Sequence, residues 1–333
     1  MFDSVAVVGA TGAVGAIIRE LLDTRKFPYG TLKFLASARS AGKRIEFAGH
    51  SYLVEELRPE AFDGVELAIA STPDDIARDF IPPAVARGCI VIDESGYWRM
   101  DPTVPLVIPE VNPQDLDKHQ GIIASPNCST TQMVLALKPL HDAARVRRVV
   151  VSTYQAASGA GAAAMAELEQ QTREVLEGKP LTQNVFPLQY AFNVFSHNSA
   201  IGDDGYNEEE VKMVKETRKI FDDQNIRVAA TCVRVPVMRA HGESINIEFE
   251  KPMPEQQAVE ILRQAPGVAI IDDREHNRFP TPLDAADRDD IFVGRIRRDI
   301  SRADNRGLEL FVCADQIRKG AALNAVQIAE LVV

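Results

Sequence analysis

A cysteine directly before an apolar helical pattern is the first candidate for chemistry in this sequence. Cys128 lies in the stretch 125–132, which reads Ser-Pro-Asn-Cys-Ser-Thr-Thr-Gln, and the apolar residues that follow at helical spacing include Met133, Leu135 and Leu137. The N–H groups and the dipole at a helix N-terminus lower a thiol pKa, and the thiolate is the form that attacks. This position suits a nucleophile. An isolated cysteine can also fill an apolar core, and the residues alone leave both interpretations open.

A glycine-rich turn near the start of the chain predicts a nucleotide site. The β-branched run 5–8 is followed by a turn with spacing G-x-x-G-x-x-G, and then by Ile17, Ile18, Leu21 and Leu22 at helical spacing. Glycines between a strand and a helix let the backbone approach a pyrophosphate, which the helix N-terminus attracts. We predict cofactor contacts from the turn residues Gly9, Thr11, Gly12, Ala13, Val14 and Gly15. A tight turn without a ligand is the alternative.

The choice between NAD and NADP is predicted by residues further along. NAD-selective domains place an acidic residue ~20 positions after the glycine loop. The corresponding stretch 35–42 offers Ser37, Arg39 and Ser40 instead. Hydroxyl groups and a guanidinium suit a 2′-phosphate, because Arg donates to phosphate oxygens in a fork geometry. The sequence therefore favours NADP, with a solvated loop that carries an incidental Arg as the alternative.

Composition excludes several classes of function. The 333 residues carry a formal net charge of −11, which argues against nucleic-acid or anionic-membrane partners. The chain shows neither a signal-peptide pattern nor a spanning apolar stretch. Its 4 cysteines have no CxxC spacing, so we predict neither a disulfide framework nor a metal site, and a reducing cytoplasm fits best.

The elements that must position these residues fall into two sets. Apolar runs at 32–35, 67–70 and 89–92 alternate with helical or irregular stretches, as expected for parallel strands joined by crossovers. Beyond Cys128 the pattern changes. Strand candidates at 147–153, 226–235 and 244–249 are separated by polar helical stretches at 163–177 and 208–221, which favours an α+β domain with a mixed sheet.

Several blocks resemble the aspartate-semialdehyde dehydrogenase family. The stretch 125–132 resembles its nucleophile segment, and the stretch 232–243 resembles its Arg and His segment, with Arg234 seven positions before His241. Further blocks follow in the same order at 104–112, 158–161, 191–193, 293–297 and 318–324. The resemblance covers nearly the whole chain. It implies a Rossmann-type NADP-binding domain over 1–127, completed by a C-terminal helix at 315–333, and an α+β catalytic and dimerisation domain over 128–314.

Carried onto this sequence, the resemblance makes Cys128 the nucleophile, His241 the acid/base and Gln155 the residue that orients the reacting group. It makes Arg234 the partner of the substrate α-carboxylate. These roles fit the residue types, since His exchanges protons near neutral pH and Arg binds carboxylates bidentately. Without the family, His241 would be a structural histidine, Arg234 a surface or paired charge, and Gln155 an ordinary polar strand residue.

The remaining contacts are also implied by the resemblance. Arg99 would grip the transferred phosphate with Lys212 nearby, Glu209 would contact the substrate amino group, and Asn127 would line the substrate site. Glu209 and Lys212 are spaced i,i+3 on a predicted helix, so an exposed ion pair is the alternative. Additional cofactor contacts are implied for Ser71, Thr72, Ser158, Gly159 and Gln316.

The chain departs from the family pattern in three places. Where the family commonly reads Asp-Asn-Ser-Ser-Ala-Phe-Arg, residues 93–99 read Asp-Glu-Ser-Gly-Tyr-Trp-Arg. A charged Glu94 would repel a phosphate unless it points away or is paired. Gln316 replaces a usual Asn, and the stretch 194–198 also differs. These differences bear on the identity of the substrate rather than on the type of reaction.

The predicted reaction is NADPH-dependent reduction of L-aspartyl-4-phosphate to L-aspartate 4-semialdehyde through a cysteine thioester, as in lysine, threonine and methionine biosynthesis. Phosphate is the second product, and a homodimer or a dimer of dimers is expected. Three alternatives stay open. They are an acyl-phosphate reductase with another substrate, such as N-acetylglutamyl phosphate, a catalytically silent nucleotide-binding paralogue, and an ordinary hydroxy-group dehydrogenase.

Overall fold

The computed structural model describes residues 2–333, which form two compact units. The first unit contains residues 2–127 and 320–333, and the second contains residues 128–319. Residues 315–319, assigned above to the first domain, group with the second unit. The reason lies in their hydrogen bonds: Arg239 Nε donates to Asp315 Oδ2 at 2.7 Å, and the Ala240 N–H donates to Gln316 Oε1 at 3.0 Å.

The strands and helices alternate along the first third of the chain and are less regular afterwards. The strands are β1 Phe2–Val8, β2 Tyr29–Ala36, β3 Arg44–Phe47, β4 His50–Glu56, β5 Leu67–Ala70, β6 Ile90–Asp93, β7 Ile122–Ala124, β8 Val146–Gln155, β9 Phe195–Ser196, β10 Arg227–Arg234, β11 His241–Phe249, β12 Val268–Ile270, β13 Ile291–Arg298 and β14 Gly307–Ala314. The helices are α1 Ala13–Thr24, α2 Asp74–Val85, α3 Cys128–Ala144, α4 Ala162–Glu177, α5 Glu208–Ile220, α6 Glu255–Gln264, α7 Pro282–Ala285 and α8 Leu323–Leu331.

The first unit is built on a 7-stranded sheet in the order β3-β4-β2-β1-β5-β6-β7. Its strands pair in parallel except β3, which runs antiparallel to β4. The central strands are short apolar runs with both faces covered, as parallel sheets require. The order of strands reverses at β1, which has β2 on one side and β5 on the other. Open parallel sheets bind ligands beyond the carboxyl ends of the strands at such a point.

The C-terminal segment is shorter as a regular helix than predicted. A π-helical turn, Arg318–Ala322, precedes α8, so the expected single helix over 315–333 is wrong in its bounds. α8 packs against α1, β5 and β6 in the first unit. Asn324 fixes its start by donating through Nδ2 to the Val107 carbonyl at 2.9 Å and to Ser125 Oγ at 3.0 Å.

The second unit is built on a mixed 7-stranded sheet in the order β12-β13-β14-β11-β8-β10-β9. β8 pairs in parallel with β10 and antiparallel with β11, so the ends of these three strands lie beside one another. α3 contacts β8, β11, β13 and β14. Its residues from Ser129 to Leu137 are all buried, so the polar side chains of its first turns lie in the interior together with the apolar side chains that follow.

Candidate active site

The predicted cofactor turn lies at the carboxyl end of β1. Gly9 has φ +79°, and a Cβ there would lie 2.1 Å from the Ser71 carbonyl oxygen at the end of β5. A Cβ on Gly15 would lie 2.3 Å from the Gly9 carbonyl oxygen, so glycine is required where the turn meets α1. Gly12 precedes α1 and offers it no side-chain cap. The turn and the start of α1 thus have the shape and the partial charge of a pyrophosphate cradle.

The loop after β2 comes close to this turn. The Thr11 hydroxyl donates to Ser40 Oγ at 3.4 Å, and Ser40 is buried. Ser37 and Arg39 are exposed on the same loop. On the other side of β1, the Ser71 N–H donates to the Val8 carbonyl at 3.1 Å and Thr72 follows it. The predicted cofactor residues of the first unit therefore surround the carboxyl ends of β1, β2 and β5.

Arg99 is held in the first unit by backbone carbonyls. Its Nε donates to the Ser125 carbonyl at 2.9 Å and its Nη2 donates to the Glu94 carbonyl at 2.7 Å, while the side chain is buried. Ser125 lies three residues before Cys128 in the sequence, and Asn127, between them, is buried as well. The guanidinium is therefore preorganised, as a phosphate-binding group should be.

Glu94 is the acidic residue that would repel a phosphate bound by Arg99 if it were charged. Both of its carboxyl oxygens are buried. The pKa of Glu94 is raised to about 8, mainly by burial and also by the Asp93 charge, while a hydrogen bond with Ser71 and the Arg99 charge act in the opposite direction. At neutral pH most of this group is protonated. The repulsion expected from a charged carboxylate at this position is correspondingly weak.

In the second unit, Cys128 is the first residue of α3 and is half-buried. The other cysteines are fully buried, which raises the pKa of Cys89 to about 12 and raises the pKa of Cys232 and Cys313 as well. Cys128 is thus the thiol with both solvent access and a helix N-terminus. This is the placement that the sequence pattern predicted.

His241 opens β11 and is buried. Its Nδ1 accepts a hydrogen bond from the Ala156 N–H at 3.0 Å. Because an amide can only donate, the neutral ring carries its proton on Nε2, which has no protein partner among the described residues. Burial, aided by Arg234, lowers the pKa of His241 to about 3. The side chain is therefore a neutral ring whose Nε2–H is available to a ligand.

Gly159 brings His241 and Arg234 together. A Cβ at position 159 would lie 3.0 Å from His241 Nε2, 3.0 Å from His241 Cε1 and 3.0 Å from Arg234 Nη1. The imidazole and the guanidinium therefore line the same small space above the Gly159 backbone. A side chain at this position would displace one of them.

Gln155 links the ends of three elements. It ends β8, and its Nε2 donates to Ser129 Oγ at 3.1 Å and to Glu209 Oε1 at 2.9 Å. Ser129 follows Cys128 on α3, and Glu209 lies in the first turn of α5. Lys212 Nζ lies 3.7 Å from Glu209 Oε2, but Glu209 is buried, so this is not the exposed ion pair considered as an alternative.

Arg234 ends β10, is only 3% exposed, and has acceptors on each of its nitrogens. Nε donates to Asn198 Oδ1 at 3.1 Å, Nη1 to the Ala156 carbonyl at 3.3 Å, and Nη2 lies 2.8 Å from His197 Nε2. Sequence reasoning gave no role to His197 or Asn198. The only signal was that the stretch 194–198 departs from the common family pattern.

Two further predicted cofactor residues lie in the second unit with Gly159. Gln316 Nε2 donates to Ser158 Oγ, and the Ser158 N–H donates to the Met238 carbonyl at 3.1 Å.

Sequence reasoning also missed Glu243, which lies two residues after His241 on β11 and is fully buried beside Gln132. Burial raises the pKa of Glu243 well above its usual range.

In the described residues, no group of three or more His, Cys, Asp or Glu side chains could hold a metal ion. No helix in residues 2–333 is long and apolar enough to cross a membrane.

Comparisons with known proteins show the family of this chain. Residues 4–119 match the family described as "Semialdehyde dehydrogenase, NAD binding domain", and residues 137–319 match "Semialdehyde dehydrogenase, dimerisation domain". A relative from Synechocystis named aspartate-semialdehyde dehydrogenase is 51% identical over 329 residues, which cover 99% of this chain and 97% of the relative. The chain belongs to the aspartate-semialdehyde dehydrogenase family.

Solved structures of aspartate-semialdehyde dehydrogenases have the same fold. The Vibrio cholerae enzyme II superimposes with a TM-score of 0.96 at 43% identity, covers 100% of this chain and 98% of its own, and has been solved complexed with ASA. The Candida albicans enzyme, solved with NADP, superimposes with a TM-score of 0.77 at 25% identity over 100% of this chain and 98% of its own. The predicted family and fold class are confirmed: an NAD(P)-binding domain of Rossmann type is joined to a dimerisation domain with a mixed sheet.

Proposed function

We propose that this chain reduces L-aspartyl-4-phosphate to L-aspartate 4-semialdehyde with NADPH, through a thioester on Cys128. The main support is one arrangement in the second unit. Arg234 and the Nε2–H of His241 face the same space above Gly159, and Gln155 ties Glu209 to the residue after Cys128. Such a site combines a nucleophile and a hydrogen-bond donor with one positive and one negative side chain, which together can bind the carboxylate and the ammonium group of an amino acid.

The first step is attack of the Cys128 thiolate on the acyl carbon of the substrate. The new C–S bond forms, the bond from carbon to the phosphate oxygen breaks, and phosphate leaves with the electron pair. The chemistry that a bound NADPH supplies is a hydride to the thioester carbonyl carbon. The oxyanion of the thiohemiacetal that results then re-forms the C=O bond as its C–S bond breaks, which releases the aldehyde and the Cys128 thiolate.

His241 acts on the carbonyl oxygen during these steps. That oxygen gains negative charge when the thiolate adds and again when hydride adds. The Nε2–H of a neutral, buried imidazole shares its proton with this oxygen and stabilises the charge without prior ionisation of the ring. Because the Ala156 N–H occupies Nδ1, the ring is held with its proton facing the reacting group.

The substrate's amino-acid end is assigned to Arg234 and Glu209. Arg234 would bind the α-carboxylate, since guanidinium and carboxylate match in charge and shape. Glu209 would accept from the α-ammonium group, with Lys212 beside it. Arg99 would bind the phosphate group. Asn127 remains a proposed substrate contact, because it lies between the Arg99-bound Ser125 and Cys128 in the sequence.

NADP is proposed as the cofactor in preference to NAD. Support comes from Arg39 and from the Ser37 and Ser40 hydroxyls beyond β2, and from the Candida albicans relative, which was solved with NADP. The absence of a Cβ at Gly9 and Gly15 lets this turn pack tightly against the end of β5 and the start of α1, which is the backbone arrangement that supports a dinucleotide phosphate at a helix N-terminus. The product would enter lysine, threonine and methionine biosynthesis, and the dimerisation domain supports a homodimer.

The direct test follows NADPH by absorbance when the purified protein meets L-aspartate 4-semialdehyde, NADP and phosphate. We expect an increase that requires phosphate and is lost in Cys128→Ala. N-acetylglutamate semialdehyde serves as the comparison substrate. Activity with that compound alone would point to another acyl-phosphate reductase. A folded, NADP-binding protein that oxidises neither compound would contradict the proposal and favour the silent paralogue.

A further inference from the structure

Residues 197–199 lie between the two groups assigned to the substrate's amino-acid end. β9 pairs antiparallel with β10, with Arg234 opposite Phe195, and the His197 N–H donates to the Cys232 carbonyl at 2.9 Å. Phe195 packs against the apolar cluster around Phe186 and Tyr190. The backbone that carries His197 is therefore fixed to the strand that carries Arg234.

His197 contacts Arg234 on one side of its ring and Ser199 on the other. A guanidinium has only donors, so His197 Nε2, at 2.8 Å from Arg234 Nη2, must be an acceptor. His197 Nδ1 lies 3.0 Å from Ser199 Oγ and 3.2 Å from the Ser199 backbone nitrogen. Burial lowers the pKa of His197 to about 4, so the ring is neutral across the physiological range.

Ser199 continues the chain of hydrogen bonds to the second recognition group. Its Oγ accepts from the Glu209 N–H at 3.3 Å, and Glu209 lies in the first turn of α5. Asn198, between the two, accepts from Arg234 Nε at 3.1 Å. Three successive residues thus bond to Arg234 at two nitrogens and to the backbone of Glu209.

We propose that residues 197–199 are a positioning segment that sets the enzyme's selectivity for an L-α-amino acid by holding Arg234 and Glu209 at a fixed separation. The inference rests on the proposed function, in which Arg234 binds the α-carboxylate and Glu209 the α-ammonium group. An enzyme distinguishes two enantiomers by binding the substituents of the chiral centre at separate, fixed positions. A guanidinium free to rotate would bind the carboxylate but would discriminate poorly between the L and D forms.

The test compares His197→Phe, His197→Gln and Asn198→Ala with the parent protein. Phe keeps a flat ring but offers no acceptor to Arg234, whereas the Gln carbonyl can accept from Nη2. The readouts are KM and kcat for L-aspartate 4-semialdehyde and the ratio of kcat/KM for its L and D forms. His276→Phe is the control, because this histidine is exposed and bonds only to Asp273 nearby.

We expect His197→Phe to raise KM by about 10- to 100-fold, as for loss of a hydrogen bond to a charged group, with a much smaller change in kcat. The L/D ratio should fall by a similar factor. Asn198→Ala should act in the same direction, and His197→Gln should recover most of the loss. His276→Phe should match the parent.

Unchanged KM and L/D ratio in His197→Phe would overturn the inference. An equal fall in kcat/KM for both enantiomers, without recovery in His197→Gln, would also overturn it, because that is the signature of general destabilisation. The parent protein separates the two proposals. If it does not oxidise L-aspartate 4-semialdehyde at all, the proposed function itself has failed, whatever the variants do.

Discussion

Burial sets the charge state of the two histidines in the candidate site. His241 and His197 are neutral at physiological pH because the protein withholds water from both rings, with pKa values lowered to about 3 and about 4. Their partners differ, however. His241 Nδ1 accepts from the Ala156 N–H, which leaves the His241 proton on Nε2, whereas His197 Nε2 accepts from the Arg234 guanidinium. In the proposed mechanism, His241 therefore donates to the reacting oxygen and His197 holds Arg234.

The same reasoning predicts which thiol reacts first. Cys128 should be alkylated by iodoacetamide faster than Cys89, Cys232 and Cys313, since burial raises the pKa of those three and keeps reagent away. Peptide mapping by mass spectrometry measures each rate, and Cys128→Ser should lose the fast phase. Equal labelling of all the cysteines would contradict a nucleophilic role for Cys128.

The proposed preference for NADP over NAD is expected to depend on the exposed side chain of Arg39. Arg39→Asp should weaken NADP binding by about tenfold or more and change NAD binding little, because the new carboxylate would repel a 2′-phosphate that NAD lacks. Titration of each cofactor by fluorescence measures the two affinities, with Arg44→Asp, on β3, as the matched control. Equal weakening of NAD and NADP binding would contradict the proposal that Arg39 binds the 2′-phosphate.

The elements converge on the site through their ends. α3 begins at Cys128, β8 ends at Gln155, β10 ends at Arg234 and β11 begins at His241. The 3₁₀ turn Ala157–Ala160 follows β8 and places Gly159 against the two basic side chains. Residues far apart in the sequence therefore meet because neighbouring strands of one mixed sheet end at the same edge.

Gly159 provides the sharpest test of this arrangement. Gly159→Ala should lower kcat/KM by about 10- to 100-fold, because the added methyl group would displace His241 or Arg234 by part of an ångström. Gly202→Ala is the control, since its Cβ would lie 3.0 Å from the Asp204 side chain and 3.6 Å from the Tyr206 carbonyl oxygen on an exposed loop. Steady-state kinetics measure both variants. Parent-like kinetics in Gly159→Ala would mean that the two side chains are not held as tightly as the distances imply.

Sequence reasoning reached the main elements and missed the contacts between them. Periodicity located β1, β2, β5, β8, α1, α4 and α5 to within a few residues, because their apolar faces pack on sheets or helices. It missed the two-residue β9 and the short strands at the sheet edges, whose pairing depends on distant partners. It could not give the partners of Arg234, since His197 and Asn198 become neighbours only when β9 pairs with β10.

For the molecule as a whole, buried acids couple stability to pH. The pKa of Glu94 is raised to about 8 in the folded state, so the folded protein holds a proton that the unfolded chain loses at lower pH. The contribution of protonated Glu94 to the free energy of unfolding is complete below the pKa that Glu94 has in the unfolded chain. It is lost as pH rises from there through about 8. The pKa of Glu243 is also raised by burial, so this residue likewise makes the folded protein less stable as pH rises.

Glu94→Gln should therefore match the parent in unfolding free energy near pH 4 and exceed it by roughly 2–4 kcal/mol near pH 9. The variant keeps a neutral polar group where the parent must ionise. Denaturant unfolding at several pH values measures this difference, with Glu55→Gln, an exposed residue of β4, as the control. A difference that does not change with pH would show that Glu94 is ionised in the folded protein.

The proposed reaction requires that the substrate becomes covalently attached to Cys128. The attachment can be detected by mixing the enzyme with L-aspartate 4-semialdehyde and NADP while phosphate is withheld, then quenching and mapping the peptides by mass spectrometry. We predict a burst of NADPH close to one per site and an aspartyl thioester on Cys128, which added phosphate removes. Continued turnover without phosphate and without an adduct on Cys128, or a burst that persists in Cys128→Ser, would contradict the account.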